Sequence, residues 1–182
     1  MPVFRYDHDN LKQEKQPVLL DFRKVRRMQQ RIVRSPEETM AFAGKLAGIL
    51  EPDDVLTLSG DLGAGKTVFT KGLAKGLGIQ EMVSSPTFTI IKEYRSGRLP
   101  LYHMDVYRIS DEEDIGLEDY FDQGGITVIE WAENIPSWLP ADYLNVVITR
   151  LDEKARKITF TAHGPRSEHL YREIMKDEDT GN

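Results

Sequence analysis

The segment Gly60-Asp61-Leu62-Gly63-Ala64-Gly65-Lys66-Thr67 constrains this chain more than any other. It matches the eight-position phosphate-binding loop, a motif that has meaning only between a strand and a helix. Both neighbours are legible. Residues 55–58 form a short apolar run, and Phe69, Leu73 and Leu77 recur at helical spacing over 66–77, with Gly78 as the stop. Glycines at 60, 63 and 65 permit backbone turns closed to residues with a side chain, so successive N–H groups can converge on a phosphate. The helix N-terminus adds its partial positive charge. Lys66 is expected to bridge the β- and γ-phosphates, and the Thr67 hydroxyl to bind magnesium. A magnesium-bound ATP or GTP is therefore implied. Guanine specificity calls for an Asn/Thr-Lys-x-Asp loop, and the second half of the chain contains none, which favours ATP.

The flanking sequence predicts the elements around this loop. Ser35-Pro36-Glu37-Glu38 reads as a capping box with proline at the first helical position, opening a helix over 36–50. Segments 87–94 and 99–106 read as two strands about the turn Arg95-Ser96-Gly97-Arg98, and 111–121 as short helical turns. The run 126–129, bounded by Gly124-Gly125, has the continuous apolar character of a strand buried on both faces. Residues 144–148 and 158–161 supply two more strands. The expected fold is α/β: a P-loop NTPase-like three-layer fold with a mostly parallel central sheet and an antiparallel hairpin. A chain of 182 residues suits one domain, taken as 31–176. An extension over 1–30 shows no sustained period, and 177–182 reads as a frayed acidic tail.

Composition narrows the function classes. There is no cysteine, which excludes disulfides, thiolate zinc sites and cysteine nucleophiles. No stretch approaches the ~18 to 20 apolar residues of a membrane span, and MPVFRYDHDN lacks the order of a secretory signal, so a cytoplasmic protein is expected. A formal charge of -6 disfavours tight binding to a polyanion by this chain alone. The basic cluster Arg23, Lys24, Arg26, Arg27, Arg31 and Arg34 reads first as a solvated face and second as an RNA-touching arm.

Phosphoryl transfer also needs an acid near the metal and a group that orients the attacking oxygen. Asp105 follows the run 99–104 and Glu130 follows 126–129, so both are expected at the C-terminal ends of strands, where α/β sheets bind their ligands. Either acid also reads as an ordinary strand-end residue. Thr87, within Ser85-Pro86-Thr87-Phe88-Thr89, lies where P-loop proteins place a nucleotide-sensing threonine, although the segment also reads as a turn entering a strand. His103 reads as hydrogen-bonded structure before catalyst. Arg108 suits either phosphate or a neighbouring acid. Trp131 and Trp138 read as packing, with Trp131 also placed to shape the rim of the site.

With these residues assembled, the chain resembles the TsaE family (formerly YjeE), bacterial ATPases required to make threonylcarbamoyladenosine in tRNA. The resemblance covers about 31–162 and rests on Ser35-Pro36-Glu37-Glu38-Thr39, the loop 60–67, Ser85-Pro86-Thr87-Phe88-Thr89, Tyr102-His103-Met104-Asp105-Val106-Tyr107-Arg108 and Val128-Ile129-Glu130-Trp131-Ala132-Glu133. It implies that Thr67 and Glu130 hold magnesium, that Asp105 assists the metal or its water, that Thr87 belongs to a nucleotide-responsive switch, and that Arg156 touches nucleotide. It also implies two partner proteins, TsaD and TsaB, a route to tRNA only through their complex, and ATP hydrolysis that resets that complex between turnovers. About 30 residues precede the first shared motif, so translation from Met28 is a hypothesis that the intact mass of the native protein decides. Two rivals stand beside this reading. One is a P-loop small-molecule kinase, although no arginine-bearing lid is visible after the loop helix; the other is a nucleotide-gated binding module with incidental hydrolysis.

Overall fold

The computed structural model describes residues 30–179, so the readings placed on 1–29, including most of the basic cluster and the start at Met28, lie outside the described residues. A seven-stranded sheet runs in the order β1-β7-β6-β2-β5-β4-β3. Its strands are β1 (Gln30–Val33), β2 (Val55–Ser59), β3 (Ile91–Tyr94), β4 (Leu101–Asp105), β5 (Ile126–Glu130), β6 (Tyr143–Arg150) and β7 (Arg156–His163). Three α-helices accompany it: α1 (Pro36–Ala47), α2 (Lys66–Gly76) and α3 (Pro165–Asp179).

The sheet is mixed, which corrects the mostly parallel expectation. The inner strands β6, β2, β5 and β4 pair in parallel. Both flanks are antiparallel: β3 returns along β4 as the expected hairpin, β7 returns along β6, and β1 adds to β7. The turn between β6 and β7 is too short for a helical crossover, so the second strand must run back.

The layering also differs from three layers with helices outside. Phe42 and Leu46 of α1, Phe69 and Leu73 of α2, and Leu170 and Ile174 of α3 all join one core with Leu56, Leu58, Val128 and Val146. The opposite core, around Met104, Val106, Leu117, Ile129 and Ile135, is closed by 3-10 turns over Leu117–Tyr120, Ala132–Asn134 and Pro136–Trp138. Strand alternation separates the two sets. Leu101, His103 and Asp105 face the helices while Tyr102 and Met104 face the turns. Among the described residues no helix is long and apolar enough to cross a membrane.

Local chemistry accounts for the element ends. Ser35 Oγ accepts from the Glu38 N–H at 3.1 Å, and Glu38 Oε2 accepts from the Arg34 N–H at 2.8 Å, a capping box displaced by one residue on its return arm. The end of α2 is a Schellman motif: Gly78, at φ 79°, donates to Lys75 O, and Ile79 donates to Ala74 O. The strand expected over 87–94 starts only at Ile91. Thr89 and Ile90 both donate their N–H to Pro86 O, and Ile90 sits at φ 65°, so this stretch is a turn.

Helices α1 and α2 touch nearly backbone to backbone. A Cβ built on Gly72 would stand 2.5 Å from Met40 O and 2.8 Å from Ala43 Cβ. In an open helix Gly→Ala stabilises by about 1 kcal/mol. Here overpacking against atoms that cannot yield reverses the sign, and Gly72→Ala is expected to cost about 2 kcal/mol. A urea melt checks this; an unchanged or higher midpoint contradicts it.

Candidate functional site

The loop 60–67 leaves the C-terminal end of β2 and enters α2. Gly60, Gly63 and Gly65 all have positive φ, at 141°, 78° and 112°. Gly60 is needed twice over, since a Cβ there would lie 2.3 Å from Ile148 O of β6. Above Gly63 and Gly65 a Cβ would meet nothing within 4 Å, so the loop presents its backbone to open space. Gly65 caps α2 without a side-chain bond, which leaves the first N–H groups of the helix facing outward. A concave row of donors at a helix start is the arrangement that receives phosphate oxygens.

Lys66 is 5% exposed and lies within the loop, its ammonium donating to Gly60 O at 2.6 Å and Asp61 O at 3.1 Å. The Trp131 ring covers it, 3.9 Å from Nζ to the ring centroid. Burial draws the Lys66 pKa below its ordinary value, opposed by the nearby carboxylates of Glu130, Glu133, Asp105 and Asp61. Trp131 reaches this place because it leaves β5 at φ 64°, a turn that swings the ring toward the loop. It therefore shapes the rim, whereas Trp138 is packing, its Nε1 donating to Asp111 O at 2.9 Å.

The two strand-end acids stand side by side, because Asp105 and Glu130 are register partners in the parallel β4–β5 pair. Both are buried, at 5% and 3% exposure. Thr67 Oγ1 donates to Glu130 Oε1 at 3.2 Å, tying the start of α2 to the end of β5. Thr87 Oγ1 donates to Asp105 Oδ2 at 2.7 Å and shares a hydrogen bond with Ser85 Oγ, while the Tyr107 N–H donates to Asp105 Oδ1. Lys92 fastens the same segment by donating to Ser84 Oγ and Ser85 O. Lys66, Thr67, Glu130, Asp105 and Thr87 thus form one connected cluster at the C-terminal edge of the parallel strands.

Arg156 is bonded to the loop backbone. Its Nε donates to Ala64 O at 2.7 Å and its Nη1 to Asp152 O and Ala155 O, so it braces the loop against β7. Arg108 stacks on the exposed ring of Phe88, 5.0 Å from its centroid. Asp61 and Leu62 are exposed at the loop tip. Sequence reasoning underrated His103, which is fully buried with Nε2 2.8 Å from Glu130 Oε1. The signal was available in the alternation 101, 103, 105, which puts His103 and Asp105 on one face. It also passed over Glu133, whose Oε2 accepts from Ser59 Oγ at 3.2 Å and whose charge reaches Lys66.

Magnesium suits hard oxygen donors and keeps several waters, so one hydroxyl and one or two carboxylates suffice beside phosphate oxygens. Thr67, Glu130 and Asp105 supply that set. Among the described residues no three carboxylate or imidazole side chains gather into a cage of their own.

The sequence matches the family model "Threonylcarbamoyl adenosine biosynthesis protein TsaE" over residues 33–158. It is 56% identical over 149 residues to the TsaE protein of Bacillus subtilis (strain 168), covering 81% of this chain and 94% of that one. It is 44% identical over 136 residues to TsaE of Treponema pallidum (strain Nichols), covering 70% and 96%. In three dimensions it is similar to the crystal structure of Bacillus subtilis YdiB, with a TM-score of 0.74 and 49% identity over 83% of this chain and 96% of that one. With a model match across most of its length and relatives this similar over nearly their whole length, the chain belongs to the TsaE family.

Proposed function

We propose that this chain is the ATP-hydrolysing component of threonylcarbamoyladenosine formation in tRNA, acting with TsaD and TsaB, its hydrolysis resetting their complex between turnovers. The observation that carries the proposal is the meeting of Lys66, Thr67 and Glu130 beneath a loop with three positive-φ glycines. The relatives named for this biosynthesis support the biological setting. The tRNA is reached through the partner complex, in keeping with the net acidic charge of this chain.

The N–H groups of residues 61–67 hold the phosphates, and Lys66 moves its ammonium from Gly60 O and Asp61 O onto phosphate oxygens. When bound, magnesium neutralises charge on the phosphates and orders them. Thr67 and Glu130 are the side chains placed to hold it, with Asp105 alongside. Asp105 and Glu130 also orient the attacking water by accepting its protons as hydrogen bonds. Thr87, fastened to Asp105, links the state of the site to the segment 84–89 and so to the exposed Phe88. Trp131 shields Lys66 from solvent.

Phosphate release from magnesium and ATP tests the proposal, measured on this chain alone and with purified TsaD and TsaB. Stimulation by the partners is expected. Transfer of the phosphoryl group to a small acceptor in place of water identifies a kinase instead. ATP binding with no release under any of these conditions identifies a nucleotide-gated binding module.

A further inference from the structure

We propose that His103 is a positioning residue that fixes the carboxylate of Glu130 for the metal-bound nucleotide, an inference that rests on the ATP-hydrolysing reading above. His103 lies inside β4 between Tyr102 and Met104 and has no solvent exposure. Among the described residues its Nδ1 is the one buried side-chain nitrogen or oxygen without a hydrogen-bond partner. A half-satisfied imidazole in a strand interior is a stability cost that an apolar side chain would not carry. Its neighbour at the site accounts for its presence.

The geometry is directional. The parallel register sets His103 beside Val128, two residues short of the Asp105 and Glu130 pair on the same face, so the ring reaches along the sheet to Glu130 Oε1 at 2.8 Å. A carboxylate only accepts, so Nε2 carries a proton and donates it to Oε1. The Thr67 hydroxyl is the other donor to Glu130, and it lands on the same oxygen at 3.2 Å. Two bonds on Oε1 hold the carboxylate and commit Oε2 to neither. The two anchors are not equivalent: Thr67 is itself required by the metal, and when its hydroxyl turns there, His103 remains to hold Glu130. Hydrogen-bonded supports of metal-binding carboxylates typically govern affinity by about ten- to a hundredfold.

The test is calorimetric titration of the full chain with ATP, once with magnesium and once with EDTA, so that the metal-dependent gain in affinity is read separately from nucleotide binding. In His103→Leu the EDTA affinity is expected to stay at the wild-type value while the metal-dependent gain falls about ten- to a hundredfold. His103→Gln, whose amide N–H can stand in for Nε2–H, is expected to restore the gain. Melting without nucleotide reports the fold: a lowered melting temperature with an undiminished metal gain marks a purely structural histidine and overturns the proposal. If His103→Leu does not fold, His103→Asn takes its place, since its amide is too short to reach Oε1. Loss in the Asn variant with retention in Gln supports the proposal, and equal behaviour of the two overturns it. A wild-type chain with no metal-dependent gain overturns the ATP reading as well; a wild-type gain that the Leu variant keeps overturns the assignment of His103 alone.

Discussion

Lys66→Ala is expected to remove most nucleotide binding, weakening ATP affinity by about a hundredfold or more. The side chain is the one cation inside the loop, it is almost entirely buried, and four carboxylates lie close enough to act on its charge. Without it, the phosphates would enter a site whose nearest side-chain charges are Glu130, Glu133, Asp105 and Asp61. A charge-assisted hydrogen bond contributes about 1.5–3 kcal/mol, and Lys66 would supply more than one. The fold should survive, because the hydrogen bonds of the ammonium go to carbonyls of the loop itself, Gly60 O and Asp61 O, and do not tie one core element to another. Calorimetry gives the affinity and circular dichroism the fold. An unchanged ATP affinity in a folded variant contradicts the role of Lys66.

Glu130→Ala is expected to separate binding from turnover. On the proposed function the phosphates rest on the loop and Lys66, so ATP stays bound at its metal-free affinity, while the magnesium-dependent gain that runs through Glu130 is lost. Turnover is expected to fall by about two orders of magnitude or more, the usual consequence of deleting a group that acts in the transition state. The structure adds a second consequence, since His103 Nε2–H loses its acceptor in a site without solvent. An orphaned buried donor costs about 1–3 kcal/mol, so a lowered melting temperature should accompany the kinetic defect. Single-turnover phosphate release at saturating ATP keeps the two effects apart. Wild-type turnover in this variant removes Glu130 from the mechanism.

Much of the site could be read from the chain because its chemistry is local. The loop, its strand and its helix are consecutive in sequence, and Asp105 and Glu130 each close an apolar run, so the C-terminal edge of the sheet follows from strand ends alone. What escaped depends on pairing across distance. The antiparallel returns of β7 and β1 are set by a short turn and by register, which apolar runs do not encode. Helix α3 was missed because 165–179 is dense in charge, with Leu170 and Ile174 buried in the core and Tyr171 and Met175 packed against it; its N-terminus is held by Asp142, which accepts from the N–H groups of Arg166 and Ser167. It also runs on to Asp179, into the stretch read as an acidic tail. His103 was underrated for the same reason, since its meaning lies in a carboxylate 27 positions away on the adjacent strand.

The close seating of Gly72 and Gly76 against Met40, Ala43, Gly44 and Ala47 has a mechanical consequence. Two helices joined at their main chains have no layer of pliant side chains between them to absorb displacement. The phosphate cradle, built on the first turn of one of them and wedged by Gly60 against Ile148, is therefore the anvil of this molecule. On the proposed function, any movement that nucleotide would set off is left to the segment 84–89, which is moored by a few side-chain bonds that can be cast off singly.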